Sequence, residues 1–175
     1  MMGRKGLLFV FSLIVLMSVL VVFACGPNRK ETLTRTSKDF SASLRWDKLE
    51  AAKASLDGKI LGEVGTIFNK VEGKINITDT EVKEVFWDED EKKAVIREHY
   101  QWYVRPSVTL KQGYLIQTWE YKDSRWVLTH MEGDLLDDMK KLAAKQDEEE
   151  AAEDKEEKKG DEKMIPKTYE RKPDL

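Results

Sequence analysis

The sequence predicts an α+β domain in which N-terminal helices pack on one face of a curved, four-stranded antiparallel sheet. Apolar residues recur at helical spacing up to about residue 71. From Lys74 onward the period shortens to two, in four segments rich in β-branched and aromatic residues. When the apolar N-terminal segment and the charged C-terminal segment are set aside, the 175 residues leave room for one small domain. Strands that follow helices as a group indicate a cone-like α+β arrangement.

Each element has its own signal. A first helix is predicted over residues 39–56, where Asp39 caps the start and Asp57-Gly58 provides the stop. A second helix is predicted over 60–71 and a third over 135–144. Polar turns divide the sheet into strands over 75–87, 93–104, 108–121 and 125–131.

The N-terminus carries an export signal. Arg4 and Lys5 precede a run from residue 7 to residue 24 that has no charged side chain. This run ends at Cys25, the single cysteine of the chain. We therefore predict a signal peptide over residues 1–24. The alternative is an uncleaved membrane span, because the run reaches the lower length limit for crossing a bilayer.

The residues around Cys25 resemble the lipobox of bacterial lipoproteins, in the order Val22-Phe23-Ala24-Cys25-Gly26. The resemblance implies cleavage after Ala24 and acylation of Cys25, for example with palmitate. Acylation would also consume a lone thiol that has no disulfide partner in an oxidising compartment. Gly26, in place of the Asp that retains such proteins in the inner membrane, implies outer-membrane sorting with the domain facing the periplasm.

Charge distribution limits the classes of partner and the extent of the fold. The chain has 30 basic and 33 acidic residues, a net charge of −3, and its basic residues form no stripe. Nucleic acid is therefore excluded as an expected partner. We interpret residues 25–38 as a lipidated polar tether and 39–140 as the folded domain. Residues 141–175, which are rich in Asp, Glu and Lys, are predicted to be a disordered tail.

Several local phrases of the domain resemble a group of uncharacterised bacterial lipoproteins of the nuclear transport factor 2-like superfamily, whose fold is a cone-shaped α+β domain. The superfamily includes isomerases, cyclases, hydrolases and members with no chemistry, so the resemblance implies a fold and a location only. The phrases are Ser43-Leu44-Arg45-Trp46, Glu50-Ala51-Ala52, Ile77-Thr78-Asp79-Thr80-Glu81-Val82, Ala94-Val95-Ile96-Arg97, Pro106-Ser107, Gln117-Thr118-Trp119-Glu120 and Trp126-Val127-Leu128.

A candidate pocket follows from strand alternation. In the second strand, alternation places Glu98 on the apolar face, between Ile96 and Tyr100. Alternation with Trp126 and Leu128 would bring His130 inward as well, and the alternative is an ordinary sheet histidine whose hydrogen bonds are satisfied. The same aromatic residues would equally fill the core of a small domain, which is the commoner role. The candidate pocket residues are Glu98, Tyr100, Trp102, Gln117, Trp119 and His130.

Glu98 is the ionisable residue on that apolar face, so it needs hydrogen-bond partners inside the fold. Gln117 and Arg125 on neighbouring strands, and Arg45 in the first helix, are the expected partners. If a histidine converges on Glu98, acid–base chemistry becomes available.

We expect no metal and no cofactor. The two histidines are far apart in sequence, Cys25 is assigned to acylation, and no metal-ligand or phosphate-loop spacing is present. The expected function is a membrane-anchored, non-catalytic binding or scaffolding module of the cell envelope, whose partner is an envelope protein or a small apolar ligand. The alternative is a small-molecule pocket binder or a hydrolase- or isomerase-like enzyme that uses the cone interior.

Overall fold

The computed structural model describes the backbone of residues 28–163 and the side chains through Ala152. Residues 1–27 and 164–175 lie outside the described part, so the predicted signal peptide, its cleavage after Ala24 and the acylation of Cys25 do too. Within residues 28–163, no helix is both long enough and apolar enough to cross a bilayer.

Helix α1 spans Arg29–Arg45 and begins ten residues before the predicted start, so most of the expected tether is helical. The Asn28 side chain accepts a hydrogen bond from the Lys30 amide and caps the helix. Asn28 is therefore the start of a helix within the segment that the sequence analysis assigns to a polar tether. One face of α1 is buried, at Leu33, Ser37, Phe40, Ser41 and Leu44.

Two more helices precede the sheet. The short α2 spans Leu49–Lys53, and α3 spans Gly58–Val71. The predicted helix over 39–56 is thus two helices, because α1 ends at Arg45 and Asp47 takes a positive φ of 54°. Asp57 accepts a hydrogen bond from the Lys59 amide, so this residue starts α3.

The sheet is a four-stranded antiparallel meander in the order β1-β2-β3-β4. β1 spans Ile75–Trp87 and β2 spans Lys93–Val104, as predicted, and β3 spans Lys111–Lys122. β4 spans Arg125–Gly133. Register shifts interrupt β1 twice, between Ile77 and Asp79 and between Val82 and Glu84. Such bulges bend a sheet and increase its twist.

Helix α4 spans Asp134–Lys163 and is much longer than predicted. Leu135, Leu136, Met139 and Ala143 are buried against the sheet and α3. Lys74 donates to Gln146 at 2.7 Å, and Lys70 pairs with Asp147. The sequence predicts disorder from residue 141, whereas the backbone is helical as far as Lys163, because a run of Ala, Glu, Gln and Lys favours a helix.

Candidate functional site

A buried polar network lies where α1 crosses β2 and β3, and Glu98 is at its centre. Glu98 is only 3% exposed. Its Oε2 atom accepts three hydrogen bonds, from Ser41 Oγ at 2.7 Å, the Tyr100 hydroxyl at 2.8 Å and Gln117 Nε2 at 2.9 Å. Every donor is a neutral group. The three hydrogen bonds satisfy Oε2 of the Glu98 carboxylate, but they bring no positive charge next to it.

Trp119 completes the network and fixes its orientation. Its indole N–H donates to Gln117 Oε1 at 3.0 Å, which leaves the Gln117 amide nitrogen directed at Glu98. Both side chains are 0% exposed. Four of the candidate pocket residues, Glu98, Tyr100, Gln117 and Trp119, therefore form one hydrogen-bonded unit.

Ser41 is the network residue that sequence reasoning missed. It lies in α1 between Phe40 and Leu44, on the buried face of the helix. The sequence does contain one indication of this role, since Ser41 is a hydroxyl residue on the apolar face of the helix. A buried hydroxyl needs a hydrogen-bond partner. Of the partners expected for Glu98, only Gln117 contacts it. Arg125 lies at the β3–β4 turn opposite Lys122, away from Glu98.

Burial and the nearby Glu98 carboxylate raise the pKa of the Tyr100 hydroxyl well above its usual range. Tyr100 is therefore a hydrogen-bond donor at every physiological pH. It holds Glu98 in place and does not act as a base.

Trp102 is buried two residues beyond Tyr100 on the same face of β2, and it belongs to a separate contact. Its indole N–H donates to Asp138 Oδ2 in α4 at 3.0 Å, and Lys111 Nζ lies 2.8 Å from the same oxygen. Burial of Asp138 opposes its ionisation, but the hydrogen bonds from Lys111 and Trp102 outweigh burial and lower the pKa of this carboxyl. This contact ties the start of α4 to the sheet.

The inward placement of His130 is wrong. His130 is exposed, with its ring 3.3 Å from Glu132 on the outer surface. The cause is a bulge in β4. Thr118 pairs with His130 and Trp119 pairs with Leu128, so Thr129 is an extra residue that reverses the alternation. Met131 takes the buried position in its place.

Aromatic side chains occupy the interior of the cone. Tyr100, Trp102 and Trp119 are all at most 2% exposed. The Phe40 ring of α1 meets Trp119 edge to face, with centroids 5.7 Å apart. These aromatic residues therefore fill the core here and do not line an open pocket.

A groove of about 420 Å³ opens between α1 and β1, and we call it the α1–β1 groove. Glu98 lines its base. Among the described residues every fully buried side-chain oxygen has a partner, and all hydrogen bonds of Glu98 go to Oε2. Its Oε1 atom therefore reaches the groove. The other lining residues are Ser37, Lys38, Ser41, Ala42, Arg45, Trp46, Thr80, Glu81 and Val82.

Metal binding gains no support from the described residues. Within residues 28–163, no group of three or more His, Cys, Asp or Glu side chains is arranged to hold a metal ion. His99 lies on the outer face of β2, where its ring packs against Tyr114 with centroids 5.5 Å apart.

No family model and no curated protein matches the chain. Solved structures match it at low identity. A Ca/calmodulin-dependent kinase II-type association domain from Exiguobacterium sibiricum has a TM-score of 0.50 and 13% identity, and the match covers 62% of this chain and 94% of that chain. A ketosteroid isomerase-like protein from Erwinia carotovora atroseptica has a TM-score of 0.48 and 11% identity, over 62% and 96% of the two chains.

A third match is an NTF-2-like protein of unknown function from Shewanella oneidensis, with a TM-score of 0.42 and 14% identity. It covers 59% of this chain and 97% of that chain. At these identities the likeness shows the fold alone. The described part of the chain is an α+β domain with the nuclear transport factor 2-like fold, an open four-stranded antiparallel sheet covered by helices.

Proposed function

We propose that the chain is a lipid-anchored, non-catalytic binding module of the bacterial cell envelope, held on the outer membrane with its domain facing the periplasm. The anchor is Cys25, at the end of the apolar export segment. Two or more acyl chains hold a protein on a bilayer far more firmly than one. The partner is another envelope protein.

The spacing between Cys25 and α1 supports a domain that lies close to the bilayer. Only Gly26, Pro27 and Asn28 separate Cys25 from Arg29, the first residue of α1. Fully extended, that link spans about 14 Å. Arg29 donates to the Asp90 carbonyl at 3.2 Å, so the start of α1 lies beside the β1–β2 turn. This end of the sheet would therefore face the membrane.

A surface on β1 is the observation that carries the binding role. Val82, Val85 and Phe86 are exposed by 43%, 40% and 59%, with Phe86 on the opposite face of the strand from the two valines, and we call them the β1 apolar strip. β1 is an edge strand, and most of its second half is exposed on both faces. An exposed apolar strand edge is a ready surface for strand addition or side-chain docking. The filled interior also favours binding at the surface over binding inside the cone.

Site-specific photocrosslinking in intact cells tests this role. A photoreactive residue at position 86 should give a discrete crosslinked protein, and the same residue at position 61 should not. Leu61 is a matched control because it is an exposed apolar residue, 43% accessible, on α3. Equal crosslinking at both positions, or none at position 86, would contradict a partner surface on β1.

The second candidate is a small-molecule binder or enzyme that uses Glu98. The exposure of Glu98 Oε1 to the α1–β1 groove favours it. Its acid–base form would require a second proton-transfer group beside Glu98. In the described part of the chain the groups bonded to Glu98 are a serine, a tyrosine and an amide. This arrangement supports binding more than catalysis.

A further inference from the structure

The α1–β1 groove ends on a carboxylate oxygen that has no partner among the described residues. Glu98 Oε2 accepts all three hydrogen bonds of the network, and Oε1 faces the groove. The side chain is 97% buried, since its exposure is 3%. A carboxylate oxygen in such a position is an acceptor held ready for a donor that enters from the groove.

The network does not neutralise Glu98. Lys38 and Arg45 line the groove, but among the described residues the groups bonded to Glu98 are Ser41, Tyr100 and Gln117, none of which is charged. A carboxylate that is buried without a countercharge is costly to the fold, and a cation that completes the pair is correspondingly favoured. Charge-assisted hydrogen bonds to a carboxylate are about twice as strong as neutral ones. The site therefore selects for a positively charged donor.

The walls of the groove are suited to a short apolar body. Ala42 and Val82 lie on opposite sides, and the Trp46 indole, which is 69% exposed, stands at the rim. An indole face attracts cations as well as apolar groups. A volume of about 420 Å³ lies within the range of small-molecule sites.

We infer that the α1–β1 groove binds a small organic cation, a primary ammonium compound with a short apolar body, whose ammonium group donates to Glu98 Oε1. The apolar body packs between Ala42 and Val82 and against Trp46. This site shares Val82 with the β1 apolar strip, but ligand binding requires neither the partner protein nor acylation of Cys25.

Calorimetric titration of benzylammonium into the full-length protein in non-ionic detergent tests the inference. We expect saturable binding with a Kd of about 1 mM, as suits a probe of this size. Benzyl alcohol, which has the same shape and no charge, should bind at least about tenfold more weakly. Absence of benzylammonium binding at about 10 mM, or equal binding of the two probes, would overturn the inference.

Two variants locate the site. Glu98→Gln keeps the shape and removes the charge, so we expect at least about tenfold weaker benzylammonium binding. Ala42→Phe fills the groove from an exposed helix position that is outside the polar network, and it should also abolish binding. Thr34→Phe, at an exposed α1 position outside the groove, is the matched control and should bind as the wild type does. Unchanged binding in Glu98→Gln or Ala42→Phe, or loss in Thr34→Phe, would overturn the assignment.

Discussion

Ser41 Oγ donates to Glu98 Oε2 across a distance of 2.7 Å, and this contact joins the first helix to the second strand of the sheet. The two residues are separated by 57 positions in sequence. Both are buried, so the hydrogen bond forms where the low local dielectric makes it stronger than it would be in water. The contact fixes how α1 lies over the sheet, and it sets one wall of the α1–β1 groove.

Removing the Ser41 hydroxyl should destabilise the domain. Ser41→Ala leaves Glu98 with two donors in place of three, and we expect a loss of about 1–3 kcal/mol in the free energy of unfolding. Denaturant unfolding of the full-length protein measures it. Ser43→Ala is the control, because Ser43 Oγ bonds only to the Asp39 carbonyl of its own helix. A loss of the same size in both variants would indicate a helix effect and not the network.

Glu98→Gln tests the structural role of the carboxylate itself. The amide oxygen keeps an acceptor for the three donors, but a neutral acceptor forms weaker hydrogen bonds than a carboxylate, so a loss of about 1–3 kcal/mol is expected. The double variant with Ser41→Ala should lose less than the sum of the two single variants, because both changes disrupt one contact. Additive losses would show that the two residues act independently.

Acid should weaken the contact between α4 and the sheet through Asp138. The pKa of Asp138 is lowered in the folded state from its ordinary value of 3.8 by the hydrogen bonds from Lys111 and Trp102. Its contribution is therefore fully present above the unfolded-state pKa and is lost as pH falls through the folded-state pKa. Asp138→Asn should flatten the fall in stability below about pH 4, measured by thermal unfolding. Asp137→Asn is the control, and an equal flattening there would contradict the assignment.

The exposed part of α4 should be dispensable for folding. Among the side chains described, which extend to Ala152, the last ion pair between α4 and the rest of the domain is that of Asp147 with Lys70, and residues 148–152 are exposed. Truncation after Asp147 should leave the thermal midpoint nearly unchanged. Truncation after Met139 removes the buried Ala143 and should lower the midpoint by several degrees. A large decrease in the first variant would show that the later residues pack on the domain.

Cys25→Ser tests the anchor. The variant should accumulate as an unprocessed precursor and should incorporate no labelled palmitate, because the acylated thiol is absent. Metabolic labelling followed by membrane fractionation measures both effects. Gly26→Ser is a suitable control, since it leaves the thiol in place. Equal labelling of the wild type and Cys25→Ser would exclude acylation at this residue.

Strand positions were predictable because the signals that define them are local. Alternating apolar residues and charged turns determine β1 and β2 from end to end. The start of α1 was missed because Asn28 serves equally well in an irregular tether or as a helix cap, and burial of Leu33 against the rest of the fold decides between them. Propensity alone contains no such information.

The candidate site was partly predictable for a related reason. Alternation along β2 places Glu98 and Tyr100 on one face, and β3 brings Gln117 opposite Ile96, close enough for its side chain to reach Glu98. Ser41 was not predictable, because the meeting of a helix residue with a strand residue depends on how the two elements pack. His130 was misplaced because a bulge leaves no mark in the residue types around it.

The extra residue in β4 determines which of two alternating sets of side chains faces the core after Leu128. With Thr129 present, Met131 is interior and His130 is solvated. Deletion of that one residue would give β4 simple alternation from Trp126 onward and would leave His130 paired with Thr118 on the outer side. Loss of the bulge with Thr129 retained would instead shift the register by one residue, so that the imidazole would exchange places with the thioether. Whether an ionisable ring enters the cone is therefore controlled by how β4 pairs with β3 as well as by residue identity.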